Sequence, residues 1–396
     1  MSQQPDAEPT IPAEPTPASL RSLTGLFLKL GTIAFGGPAA HIAMMEDEVV
    51  RRRQWLSRER FLDLLGTASL IPGPSSTELA IFIGYIKAGW RGLVLAGACF
   101  ILPAGLIVSG FAWAYVHYGA LPQVSGILYG VKPVVIAIIA QAVWGMGRTA
   151  VKTWLLGVLG LAALIASTIG VAPIIVLFGT AVLSMLAKIA KLQRRSQLRQ
   201  AALLLPTPIA LSTPITAAAT VGLWPVFLFF LKIGSIVFGS GYVLLAFLRG
   251  DLVDRWGWLT NSQLLDAVAV GQVTPGPVFT TATFIGYLLA GPRGAVVATL
   301  GVFLPSFVLV AISGPLIPRI RKSAIAGAFL DGAVVAALAL MIVVSAQLEK
   351  AALVDPLTIG VAFASFIAVV AFRVNSAWLV LAGAAIGFIA FAIGKV

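Results

Sequence analysis

The sequence predicts an all-α polytopic membrane protein built from two inverted-topology repeats, each with a broken helix and a re-entrant helical hairpin. Three observations predict it. First, the 396 residues are 59% hydrophobic and only 11% charged, with mean hydropathy +0.98. Apolar runs long enough to cross a bilayer recur from end to end, with almost no extramembrane mass. Second, the chain repeats itself: Phe27-Leu28-Lys29-Leu30-Gly31 returns as Phe230-Leu231-Lys232-Ile233-Gly234, an offset of 203, and Pro72-Gly73-Pro74 returns as Pro275-Gly276-Pro277. Past one deletion the offset is 202, matching Phe82-Ile83-Gly84-Tyr85 with Phe284-Ile285-Gly286-Tyr287 and Pro103 with Pro305. Third, each repeat counts out to an odd number of crossings, so the halves face opposite ways, an arrangement known from secondary transporters.

The elements follow in order. Residues 1–22 are rich in Pro, Glu, Ala and Thr without a basic start or apolar core, so they read as a disordered tail and not a signal peptide. Repeat 1 occupies 23–187. It opens with an apolar segment over 23–45 broken at Gly36-Gly37-Pro38, counted as a broken crossing helix with a re-entrant course left open, followed by the charged stretch 46–60. Residues 61–86 are interrupted at Pro72-Gly73-Pro74. Each arm of about 12 residues reaches only halfway through a membrane at about 1.5 Å per residue, which makes a re-entrant hairpin. Spans are expected near 93–117, 122–147, 154–169 and 171–187. Residues 188–222 form a basic, then Pro-rich linker, in which a further span over 201–222 stays open. Repeat 2 occupies 223–396, with a broken helix at 225–247, a hairpin at 263–289 and spans near 295–315, 325–347, 357–372 and 377–394.

One broken helix plus four spans makes five crossings per repeat. The Lys/Arg bias agrees with inversion. With 46–60 in the cytoplasm, Lys87, Arg91, Arg148, Lys152, Arg319, Arg321, Lys322 and Arg373 fall inside too, and both termini outside. The chain thus reads as a multi-pass membrane protein.

Composition also excludes. One cysteine, Cys99, rules out internal disulfides and thiolate clusters, and two histidines argue against a His-based metal site. No cofactor or metal is expected. The sequence carries no paired-His metal motif, no Gly-x-Ser-x-Gly elbow and no soluble catalytic domain, so it does not read as an enzyme. The net charge of +12 has two readings: cytoplasmic loops of any such protein collect Lys and Arg, or the field draws an anion. The basic residues are not interleaved with aromatics, so nucleic acid is not a partner. Lipid is one, and a homodimer stays open.

Candidate site residues lie at the breaks. Lys29 and Lys232 each sit in apolar sequence six residues before a Phe-Gly pair, either contacting an anion or snorkelling to an interface. Proline is at home in the first turn of a helix, so Pro74, followed by Ser75, Ser76 and Thr77, reads as the start of a half-helix after Gly73. Pro277 and Thr280, after Gly276, repeat the device. Gly36, Gly37 and Pro38, with Gly239, Ser240 and Gly241, supply two more such ends. Helix N-termini carry about half a positive charge and free N–H groups, which suit an oxyanion. Glu78, a turn past Pro74, is a proton-coupling candidate or a structural partner of a lysine. Asp63, Asp266 and His41 are further titratable candidates. Lys132, matched by a valine in repeat 2, is an additional anion contact in one reading.

On these residues the chain resembles the chromate ion transporter family, in its long two-domain form. Phe35-Gly36-Gly37-Pro38, Trp55-Leu56 and Ile71-Pro72-Gly73-Pro74-Ser75-Ser76-Thr77-Glu78 carry the resemblance, with Gly84, Gly89, Gly92 and Pro103. Repeat 2 has Gly241 where repeat 1 has Pro38. The resemblance implies chromate efflux across the bacterial inner membrane, driven by membrane potential or a proton gradient, and hence chromate resistance, with sulfate as a mimic. Export is also the downhill direction for a dianion: two charges through about 150 mV gain about 7 kcal/mol leaving a negative interior. Proton-coupled uptake of sulfate or another oxyanion, and a potential-driven anion channel, are the alternatives.

Overall fold

A computed structural model describes residues 19–195, 222–237, 243–313 and 323–395. Among the described residues all regular structure is helical. Helix α1 (Leu20–Ile33) starts at Ser19, whose hydroxyl accepts the Ser22 N–H. The chain then turns at Gly36 and Gly37, with φ of +107° and +75°, into α2 (Gly37–Glu46) and a π-helical turn over Asp47–Arg52. Lys29 Nζ reaches Glu48 Oε1 at 2.6 Å, and Arg53 donates to Ser22 Oγ at 2.9 Å. Along a continuing helix, residues 29 and 48 would stand about 28 Å apart. The expected crossing helix over 23–45 is therefore a hairpin, because two successive positive-φ glycines reverse the chain. This also corrects the side of the N-terminal end: α1 starts on the face of Arg51–Arg53, the face assigned to the cytoplasm.

The second hairpin is as expected. Helix α3 (Arg58–Ala68), capped by Ser57, descends to the Pro-Gly-Pro turn, and α4 (Ser75–Tyr118) leaves it. Helix α4 is not straight. Ala88 and Gly89 leave helical geometry, Gly89 at φ +57°, and the chain folds back so that Gly84 packs on Gly92. Residues 75–87 thus return toward the start of α3, and 90–118 form a helix long enough to cross. Helices α5 (Pro122–Ala150), α6 (Trp154–Thr168) and α7 (Pro173–Arg195) complete the repeat.

Repeat 2 copies this plan: α8 (Leu223–Ile236), α9 (Leu244–Leu248) with a π-helical turn over Arg249–Arg255, and α10 (Asn261–Val273). A 3₁₀ turn (Val278–Thr280) leads into α11 (Thr281–Ser313), folded back at Ala290-Gly291, then α12 (Ala324–Ala352), α13 (Pro356–Ala371) and α14 (Ser376–Ala392). Residues 238–242 lie outside the described residues, with Gly239, Ser240 and Gly241 among them. So do the tail through residue 18, most of the linker (196–221), and Arg319, Arg321 and Lys322.

The halves interlock. Helix α5 packs on α13 and α14, while its counterpart α12 packs on α6 and α7. Small residues allow the close approach: Gly130 meets Gly383 and Gly387, and at the equivalent place Gly332 meets Ala181 and Ser184. Between α5 and α12, Tyr129 donates to Asp355 at one end and Lys152 meets Asp331 at the other, 2.6 Å away. Residues 129 and 331 are equivalents at offset 202, and the two helices run antiparallel. The axis relating them is perpendicular to both, so it lies in the membrane plane and the repeats are inverted. With its first segment a hairpin, each repeat keeps four helices to cross with, not five.

Candidate anion-binding site

The breaks of the two repeats meet at this axis. The Gly73 N–H donates to Val237 O at 2.8 Å, and the Gly276 N–H donates to Ala34 O at 3.0 Å. Residues 73 and 276 are equivalents, as are 34 and 237, so each Pro-Gly-Pro turn is pinned to the hairpin tip of the other half. Gly73 (φ +132°) and Gly276 (φ +88°) hold backbone that a side chain strains. Neither site has room for one either. A Cβ at Gly73 would collide with Glu78 Oε1 and lie 2.5 Å from Ser306 Oγ, and one at Gly276 would lie 2.7 Å from Ala104 Cβ.

Pro74 is the N-cap residue of α4. Its carbonyl already accepts the Thr77 and Glu78 N–H groups, at 2.8 and 3.1 Å. Around this end lie Ser76, Thr77, Glu78, His41 and Ser306, all at most 1% exposed. His41 Nε2 contacts Ala34 O at 3.0 Å and its Nδ1 contacts Ser76 Oγ at 3.4 Å. A neutral ring satisfies both, with Nε2–H donating and Nδ1 accepting. Ser306 donates a long 3.5 Å hydrogen bond to Glu78 Oε1, while Glu78 Oε2 and Thr77 Oγ1 are buried without a partner. Buried polar groups are nearly always satisfied, so orphans here mark a place that wants a further partner.

The matching turn of repeat 2 is sealed. Leu244 replaces His41, Phe279 replaces Ser76, Thr281 replaces Glu78 and Ala104 replaces Ser306. The Thr280 and Thr281 hydroxyls are consumed by Pro277 O and Val278 O, both at 2.8 Å. The backbone is two-fold symmetric here and the chemistry is not.

Other expected residues fall elsewhere. Lys29 and Lys232 are not brought to the turns: Lys29 binds Glu48 and Lys232 binds Asp251 (2.7 Å), acids equivalent at offset 203. Sequence reading missed these partners, although both repeats show the acid at the same position. The Lys29 hydrogen bond holds the Glu48 carboxyl below its usual range; burial opposes this and Arg53 adds to it. Asp355 is likewise held low, first by Tyr129 and then by the Thr358 N–H. Lys132 meets neither Glu78 nor the turns. It donates to Ser262 Oγ at 2.7 Å and lies 3.6 Å from Asp266 Oδ1, while Tyr115 donates to Asp266 Oδ2 at 2.9 Å. Asp266, a titratable candidate in the sequence, is therefore a buried partner of a lysine. Asp63, its equivalent, is half-buried on α3. Ser306 was missed altogether, since its counterpart is an alanine and no repeat signal marks it.

The two mouths differ as well. Asn375 and Pro173 are equivalents, at the ends of the α13–α14 and α6–α7 loops where the second helix begins. Asn375 lies against the hairpin tip, 3.3 Å from where a Cβ of Gly36 would be, whereas Pro173 lies 3.1 Å from that of Gly250. Gly250 is 11 positions further along its hairpin than the equivalent of Gly36, a shift of about 16 Å in helix. On the repeat 2 face a cavity of about 1520 Å³ is lined by Thr168, Phe178, Ala246, Arg249, Asp251, Arg255 and Gln347, among others. A second, of about 560 Å³, adjoins it and is lined by Arg249, Asn261, Gln347 and Lys350. The described turns at Gly73 and Gly276 line neither.

Inverted repeats that exchange helices, with half-membrane hairpins meeting at their common axis, define a membrane transporter. The chain belongs to the chromate transporter family, whose pattern it matches twice, over residues 21–185 and 224–388. It is 34% identical to the chromate transport protein of Cupriavidus metallidurans over 94% of both chains. It is 33% identical to that of Pseudomonas aeruginosa, over 96% of this chain and 95% of that one. A probable chromate transport protein of Synechococcus elongatus is 37% identical over 81% of this chain and 82% of its own. No solved structure matches.

Proposed function

We propose that the protein carries chromate, or a sulfate-like dianion of the same shape, out of the cell across the bacterial inner membrane, and so confers chromate resistance. The observation that carries this reading is the reciprocal docking of the two Pro-Gly-Pro turns, with unsatisfied polar groups at the start of α4. The orphaned Thr77 hydroxyl and the N–H groups that open a helix give a tetrahedral oxyanion donors at one point, with the Ser76 and Ser306 hydroxyls beside them. Membership of a chromate transporter family supports the substrate class. The membrane potential supports the direction, since a dianion gains about 7 kcal/mol leaving through about 150 mV. In this reading Ser75, Ser76, Thr77, Gly73 and Pro74 form the station. Gly36, Gly37, Pro38, Gly276, Pro277 and Thr280 set its backbone, and the α6–α7 and α13–α14 loops gate it in turn. The test is chromate flux in proteoliposomes of known orientation under an imposed potential. Outward movement blocked by excess sulfate is expected. Accumulation against the potential, driven by protons, would make the protein an uptake carrier, and conductance far above carrier turnover would make it a channel.

A further inference from the structure

The station at the start of α4 contains a carboxyl group where an anion is to sit. Glu78 is fully buried, its Oε1 takes only the long bond from Ser306, and its Oε2 has no partner. A dianion and an ionised carboxylate side by side away from water repel, and a helix N-terminus offers only about half a compensating charge. The elements packed against α4 supply little more. On α1, Lys29 is bound to Glu48; on α2, His41 is satisfied as a neutral ring; on α10, Asp266 is held by Lys132 and Tyr115. Helix α3 contributes Asp63, whose backbone carbonyl accepts from Thr67, and Arg58, Glu59 and Arg60 in its first turn at the membrane face; α11 carries Tyr287 and the exposed Arg293 at its fold-back. Where repeat 2 has no such station, it has a threonine in place of Glu78, satisfied within its own turn. The carboxyl is thus not needed to build the turn.

We propose that the station takes its tetrahedral oxyanion together with one proton, carried on Glu78, whose protonated Oε2 donates a hydrogen bond to the anion. This deepens the transport reading above and rests on it. The one bond that changes is the Glu78 carboxyl O–H: it forms with a proton from water on the loading side, stays intact while the anion is bound, and gives its proton to water on the far side as the anion leaves. A dianion and one proton move a net charge of −1, so a negative interior still drives the pair outward.

The test uses the full-length protein in detergent and in proteoliposomes, with chromate as the probe, between about pH 8 and 9.5 where chromate itself is a dianion. For wild type, chromate affinity falls by up to about tenfold per pH unit, the slope of one linked proton. Glu78→Gln, a neutral mimic of the protonated acid, binds with an affinity that does not change with pH. A dye trapped in the vesicles reports one proton moved with each chromate in wild type. That wild-type measurement stands even if the variant fails to fold. Wild-type affinity flat with pH, an unchanged slope in Glu78→Gln, or chromate flux without proton movement each overturns the proposal and leaves transport intact. No chromate binding or flux by wild type at any pH overturns the transport reading itself.

Discussion

Gly73 and Gly276 are the residues at which backbone geometry and function coincide. Each carries a positive φ, gives its N–H to the opposite half and has no space for a methyl group. A non-glycine residue there costs about 1–3 kcal/mol in backbone strain before any collision is counted. Gly73→Ala and Gly276→Ala are expected to lose transport, and Gly73→Val and Gly276→Val to reduce membrane accumulation too, checked by flux beside quantitative immunoblotting. The lysines are a different case. The Lys29 and Lys232 side chains are 46% and 37% exposed and committed to acids, so each pair contributes about 0–1 kcal/mol. We expect the reversed pair Lys232→Asp with Asp251→Lys to transport at least half as fast as wild type, and Lys232→Asp alone to be worse. If the reversed pair is as inactive as the single variant, Lys232 touches the anion after all.

At the scale of elements, the repeat made much of the fold legible. Pro72-Gly73-Pro74 between two short apolar arms specifies a half-membrane hairpin, and the observed α3 and α4 follow from it. The fold-back at Ala88-Gly89 was written in Gly84, Gly89 and Gly92, residues that let two helices touch. The hairpin at Gly36 was not legible as such, because a glycine pair before a proline breaks a helix equally well into a kink or a reversal; only its contacts decide. The site was half legible. Ser76, Thr77 and Glu78 announced themselves beside a proline break, but Ser306 comes from the other repeat, and its approach depends on how the halves interlock. The same holds for Lys132 and Asp266, which lie on helices from different repeats. Breaking that pair strands a buried carboxylate, so Lys132→Met should destabilise the protein by about 3–5 kcal/mol, read as a fall in unfolding temperature. Adding Asp266→Asn should recover most of it. No recovery would show that Lys132 acts elsewhere.

Across the whole molecule, two-fold related loops dock at different depths, one against a hairpin tip and one near a hairpin base, with the cavity on the second side. Alternating access requires such a difference, with the two mouths exchanging arrangements during a cycle. Gly179 lines that cavity and has open space for a side chain. In a Cys99→Ser background, Gly179→Cys is expected to react with a membrane-impermeant thiol reagent from the face bearing Arg249–Arg255, about tenfold faster than the equivalent Leu381→Cys from the other face. Equal rates would contradict the asymmetry.

The most direct measurement is anomalous diffraction at the chromium edge from crystals of the full-length protein grown with chromate. An anomalous peak within hydrogen-bonding distance of Ser76, Thr77 and Glu78 is the expected result. A peak held by Arg249 in the cavity, or beside Lys29 or Lys232, with the start of α4 empty, would contradict it.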